Sequence, residues 1–102
     1  MITLCIRYTL DQNQYSNFEA YARGWPEIIR RCGGELIGYF LPTKLAGSTN
    51  TAIALINFEN LSAYEKYRAA LAGDSEAESN VAKIEKTGCI LNEERSFLRR
   101  TP

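Results

Sequence analysis

The chain contains no histidine. That absence removes Ser-His-Asp and Cys-His nucleophilic pairs, histidine-ligated zinc and histidine-ligated haem, so neither a cofactor nor a metal is expected. Long apolar runs are also missing: none approaches the ~20 residues of a membrane span, and no basic stretch with an apolar h-region precedes the first strand pattern. A cytoplasmic protein with no membrane span is the expectation. Charge of one sign is lacking as well, with 12 basic and 12 acidic residues and a pI near 6.3. Phosphate-neutralising surfaces need a basic excess, so nucleic acid is not an expected partner. No Gly-rich phosphate loop follows a strand, because Gly33-Gly34 ends a helical pattern instead of beginning one. Nucleotide binding is not expected either.

Cysteine is sparse. Cys5, Cys32 and Cys89 are odd in number, far apart, and lack the close pairing of zinc or redox motifs. They read as small buried hydrophobes. Cys32 stands out among them, since the preceding Arg30 and Arg31 would lower its pKa. The acidic pairs Glu76 with Glu78 and Glu93 with Glu94 have no metal spacing and read as solvated charge.

What is present is a doubled pattern in a chain of 102 residues, read as one domain over 1–102. A chain of this length removes roughly 60 to 70% of its unfolded surface from water, enough for a modest core. Residues 2–10 alternate Ile2, Leu4, Ile6 and Tyr8 against Thr3, Cys5, Arg7 and Thr9, which predicts a strand with two different faces. Asp11 with Gln14 has capping-box spacing and predicts the start of a helix. Its stripe runs Tyr15, Phe18, Ala22, Trp25, Ile29 and Cys32, and Gly24 and Pro26 predict a break near Trp25. Gly33 and Gly34 end it. A second strand is expected over 35–43, then a hairpin loop containing Pro42, Gly47, Ser48, Thr49 and Asn50, then a third strand over 51–59. Ser62 with Glu65, and Ser75 with Glu78, suggest caps of two further helices. The last of these covers 76–87 and faces inward through Ala77, Val81 and Ile84. A final strand over 89–98, polar in its middle, suits a sheet edge.

The order βαββααβ predicts an α+β fold of the ferredoxin-like, split βαβ type, with helices on one face of a four-stranded antiparallel sheet. The uncovered face then carries either Leu36 and Phe40, or Ile37, Tyr39 and Leu41. An apolar sheet face marks an interface, so a homodimer through that face is expected.

Several segments in order resemble the NIPSNAP family. They are Tyr8-Thr9-Leu10, Gly38-Tyr39-Phe40, Gly47 with Asn50, Asp74-Ser75-Glu76, and Phe97-Leu98-Arg99-Arg100-Thr101-Pro102. The resemblance implies a dimeric α/β barrel in which two ferredoxin-like subunits pack their sheets together. It implies no settled activity. The wider superfamily includes cofactor-free monooxygenases, haem-degrading enzymes, lactone isomerases and small-ligand sensors, and NIPSNAP proteins have been linked to vesicle traffic. The arginine often found two residues before the strand tyrosine is Ile6 here, and Arg7 lies one place on. A shift of one sends a strand side chain to the opposite face, so that arginine's role does not carry over to Arg7.

The residues themselves offer one candidate pocket: Tyr8, Trp25, Tyr39 and Asn57 between sheet and helices, with Arg7 or Arg23 as a charge. Its expected occupant is a small apolar or aromatic ligand. An amide or tyrosine there would orient a phenolic substrate in a cofactor-independent monooxygenase or isomerase. Against this stand plainer roles. Tyr15, Phe18, Tyr64 and Tyr67 at helical spacing suit a core, Trp25 suits a packed anchor at the break, and Arg95, Arg99 and Arg100 suit an exposed basic end. Three classes stay open: an interaction module, a small-molecule-binding module and an enzyme. Any site is expected beside Gly24-Trp25-Pro26.

Overall fold

The computed structural model describes residues 1–47 and 49–102; Ser48, expected in the hairpin loop, lies outside them. The elements are β1 (Ile2–Leu10), α1 (Tyr15–Arg23), α2 (Trp25–Cys32), β2 (Glu35–Phe40), β3 (Thr51–Phe58), α3 (Leu61–Ala72), α4 (Ser75–Thr87) and β4 (Ile90–Leu98). The strands form one antiparallel sheet in the order β2-β3-β1-β4, an α+β, ferredoxin-like arrangement with the helices on one face.

Period-2 alternation sets the two faces of the central strands. Leu4, Ile6, Tyr8 and Leu10 of β1 and Ala52, Ala54, Ile56 and Phe58 of β3 are buried under the helices. The pairing Leu4↔Ile56, Ile6↔Ala54 and Tyr8↔Ala52 keeps those side chains on the same side. The other face holds Cys5, Arg7, Ile53, Leu55 and Asn57.

β2 departs from simple alternation. Leu36 pairs with Ile56 and Gly38 with Leu55, so Ile37 is an extra residue in a β-bulge. The bulge turns both Leu36 and Tyr39 toward the helices, while Ile37 and Phe40, 50% and 52% exposed, lie outside the core. The expected choice between two parities thus has a mixed outcome. β2 ends at Phe40, short of the expected 43, where Pro42 cannot continue the ladder.

The helix break falls where expected. α1 ends at Arg23, Gly24 separates the two, and Pro26 sits in the first turn of α2, where its missing N–H is harmless. Gly33, with φ of 105°, closes α2 in the left-handed conformation. Gly34 lets the chain pass close to the core, because a Cβ there would lie 2.8 Å from Ile29 Cγ2 and 3.0 Å from Ile56 Cγ2.

The caps differ from expectation in each case. α1 begins at Tyr15 with Gln14 before it and no side-chain cap; Asp11 instead closes a turn, accepting from the Asn13 amide and from Gln14 Nε2. Gln14 Nε2 also donates to the Thr87 carbonyl at 2.8 Å, tying the start of α1 to the end of α4. α3 is capped by Asn60, not Ser62, and α4 by Asp74, not Ser75; each accepts from the amide three residues on. Both cap residues are extended, the backbone state a helix entrance requires.

Candidate functional site

A cavity of about 540 Å³ opens between the helices and the sheet. β1 contributes Ile6 and Tyr8, and the bulge of β2 delivers Tyr39. The break between α1 and α2 places Trp25 in the wall, with Tyr21 one turn earlier. Tyr67 of α3 and Val81 of α4 close the far side. A volume in this range suits a small ligand, and the lining is apolar with a few polar groups, as ligand sites generally are.

The aromatic wall is ordered. Tyr8 and Tyr39 stack with ring centroids 6.3 Å apart, and Tyr8 meets Phe18 edge to face at 5.0 Å. Trp25 and Tyr21 are also edge to face, at 5.6 Å and 85°. Burial raises the phenol pKa values of Tyr8, Tyr21 and Tyr39, and pushes Tyr67 up to about 12. These hydroxyls therefore stay neutral near pH 7. Each then offers one donor and an accepting oxygen, and none serves as a base.

Trp25 is 7% exposed, and among the described residues none accepts from its indole N–H with hydrogen-bond geometry. It lies near enough to the Tyr21 phenol to offset part of the burial effect on that hydroxyl, yet without the geometry of a hydrogen bond. Most buried N–H groups find a partner, so this one is an exception at the cavity wall.

Three of the four expected pocket residues, Tyr8, Trp25 and Tyr39, come together here. Asn57 does not. Its register opposite Thr3 puts it on the helix-free face, where Thr3 Oγ1 donates to Asn57 Oδ1 at 2.6 Å. Arg7 is exposed on that same face, while Ile6 turns into the cavity. Arg23 is exposed on α1 and pairs with Glu19. None of these arginines supplies charge to the cavity.

Arg95 does so, and sequence reasoning missed it by taking it for part of an exposed basic end. Pairing with Ile6 sets it on the helix side of β4. Arg95 Nε and Nη2 both lie 2.8 Å from Glu93 Oε2. Burial works against the guanidinium charge, but Glu93 outweighs it and leaves the Arg95 pKa raised. Alternation of β4 carried the signal, since Glu93 and Arg95 share a parity that register with β1 turns inward.

Cys32 is also corrected. Its thiol pKa is raised, first by burial and then by Asp74, whose Oδ2 lies 3.7 Å from Sγ. Arg31, expected to activate the thiol, is instead bound to Asp74 through Nε at 2.9 Å and Nη2 at 2.8 Å. Cys89 is buried, and Cys5 and Cys32 are partly so. Among the described residues no helix is long and apolar enough to cross a membrane.

The model of the NIPSNAP family matches residues 3–102. The chain belongs to the NIPSNAP family. A NIPSNAP family protein with unknown function from Agrobacterium tumefaciens is 24% identical and superposes with a TM-score of 0.85, covering 99% of this chain and 94% of that one. An uncharacterised NIPSNAP-like domain protein from Burkholderia xenovorans is 25% identical with a TM-score of 0.82, covering 98% and 84%. A candidate antibiotic biosynthesis monooxygenase from Nitrosomonas europaea shares the fold at 6% identity, with a TM-score of 0.73 and 98% of both chains covered. No functionally curated protein matches the chain. Family membership thus accords with the architecture and leaves the NIPSNAP cavity as the place where chemistry must be argued from residues.

Proposed function

We propose that this NIPSNAP chain is a small-molecule-binding module that works as a homodimer and takes a small apolar or aromatic ligand into the cavity between sheet and helices. The observation that carries the reading is the cavity of about 540 Å³ walled by Tyr8, Tyr21, Trp25 and Tyr39. A core that served packing alone would close at this place, because unfilled apolar volume costs contact energy. The dimer is supported by the helix-free face, where Ile53, Leu55 and Phe40 lie close in register.

The alternative, a cofactor-independent monooxygenase or isomerase acting on a phenolic substrate, is less well supported. Asn57, the amide meant to orient such a substrate, is on the other face, and the phenols of the cavity are held neutral. Among the described residues the carboxylates that line the cavity are Glu78 and Glu85, both at exposed positions.

Thermal unfolding against a panel of small aromatic compounds tests the proposal. A ligand present at a hundred times its dissociation constant stabilises the fold by ~2.7 kcal/mol. Val81→Phe, which fills the cavity from α4, is expected to abolish that shift while keeping the fold. A panel in which no compound raises the unfolding temperature rejects the binding reading. Oxygen consumption with the same phenols would restore the enzymatic one.

A further inference from the structure

We infer, building on the reading of the cavity as a ligand site, that its ligand is a ring compound with a single carboxylate, which docks on the free edge of the Arg95 guanidinium while the ring lies inward. Arg95 lines the cavity from β4, a border strand of the sheet, and its side chain is 41% exposed, so a ligand can touch it. A guanidinium carries five N–H donors, set along two edges that each match a carboxylate. Glu93 Oε2 takes the side edge, 2.8 Å from both Nε and Nη2. Among the described residues none accepts from Nη1. The end edge, Nη1 with the second hydrogen of Nη2, is therefore open to an incoming pair of oxygens.

Position sets this cation apart. Burial raises the phenol pKa values of Tyr8, Tyr21 and Tyr67, and Arg95 opposes the rise at all three. The guanidinium thus stands where side chains of β1, α1 and α3 converge beside the aromatic wall. The other charges of the lining, Arg68, Glu78 and Glu85, belong to exposed residues, where water screens them. A neutral acceptor would draw little from the Arg95 charge. A carboxylate docked there keeps part of its hydration, because Arg95 is only half-buried, and gains a charge-assisted bond along the whole free edge. Glu93 already offsets part of the positive charge, so one carboxylate matches the site better than a phosphate dianion. Inward, Ile6, Ile56, Leu71 and Val81 with Tyr39 and Tyr67 present the apolar and aromatic surface that favours a flat ring.

Three probes on one ring system test this by calorimetric titration: 2-naphthoate, its neutral counterpart 2-naphthamide, and 2-naphthyl phosphate, which brings a second charge. The naphthoate is expected to bind about tenfold tighter than the naphthamide, the worth of a hydrogen bond to a charged group, and tighter than the phosphate. Arg95→Gln is expected to abolish the preference for the naphthoate and to leave naphthamide affinity unchanged, so the naphthamide also shows that the variant is folded. Arg95→Lys, which keeps the charge without the two-edged fork, is expected to retain only part of the preference. Equal binding of naphthoate and naphthamide, or a preference that survives in Arg95→Gln, overturns the inference and leaves the binding reading standing. A full preference in Arg95→Lys overturns docking on the free edge. Tighter binding of the naphthyl phosphate overturns the single carboxylate. Failure of all three to bind removes the binding reading and the inference together.

Discussion

Asn80 Nδ2, on α4, donates to the backbone carbonyl oxygen of Tyr21, on α1, at 3.0 Å. The Tyr21 carbonyl lies at the break before Gly24, where the regular helical pattern is interrupted. A side chain from another helix thus fixes the break that sets Trp25 in the cavity wall. We predict that Asn80→Ala lowers stability by ~1 kcal/mol, the net worth of one such bond. Urea unfolding followed at far-ultraviolet wavelengths measures it, and an unchanged midpoint would show that the bond holds nothing.

Two glycine substitutions should differ sharply. Gly34→Ala forces a methyl against Ile29 and Ile56, and overpacking of that kind costs about 1–3 kcal/mol. In Gly73→Ala the added Cβ meets only the Ala70 carbonyl oxygen, at 3.9 Å. The second variant should unfold at the same denaturant concentration as the parent, or slightly above it. Equal loss in both would mean that backbone freedom, not the crowded approach, decides.

Acid stability should carry the mark of Asp74. Hydrogen bonding from Arg31, then from the Ala77 amide, holds its pKa down at about 2. A depressed carboxylate stabilises the fold above its unfolded pKa, roughly 4, and loses that contribution as pH falls toward the folded value. Unfolding temperature should therefore drop between about pH 4 and pH 2 in the parent more than in Asp74→Asn, whose amide oxygen still caps Ala77. Parallel curves for the two proteins would detach Asp74 from acid unfolding.

The helix-free face supplies the fourth test. Leu55→Arg places a charge at its centre beside Cys5 and Gly38. The expected effect on a dimer through this face is a rise of more than tenfold, on the order of a hot-spot loss, in the dissociation constant. Sedimentation at micromolar concentration reads it directly, and a parent chain that sediments as a monomer would remove the dimer.

Much of this was legible in the sequence. The alternation of 2–10 gave β1 its buried face, and Gly24 with Pro26 marked the break that bears Trp25. The caps of α3 and α4 were read two residues and one residue late, because Asn60 and Asp74 precede Ser62 and Ser75 and the extended backbone that marks a cap is not written in the sequence. The bulge at Ile37 was not legible, since an extra residue leaves the composition of a strand unchanged while reversing its faces. Tyr39 therefore entered the cavity by a route that simple alternation does not reveal. Asn57 and Arg95 exchanged roles for a similar reason. The side a strand residue takes depends on a partner strand far away in the chain, Thr3 for one, 54 residues off, and Ile6 for the other.

The same bulge bears on how the sheet ends. β2 and β4 are its two borders, each offering unpaired backbone groups to any passing strand. A second register shift lies in the β1–β4 pairing next to Leu10, and β4 carries Glu93, Glu94 and Arg95 along its middle. One border is kinked and the other is kinked and charged. Both devices work against ribbon growth by strand addition, so a dimer proposed through the helix-free face would be a closed pair and not the start of a fibril.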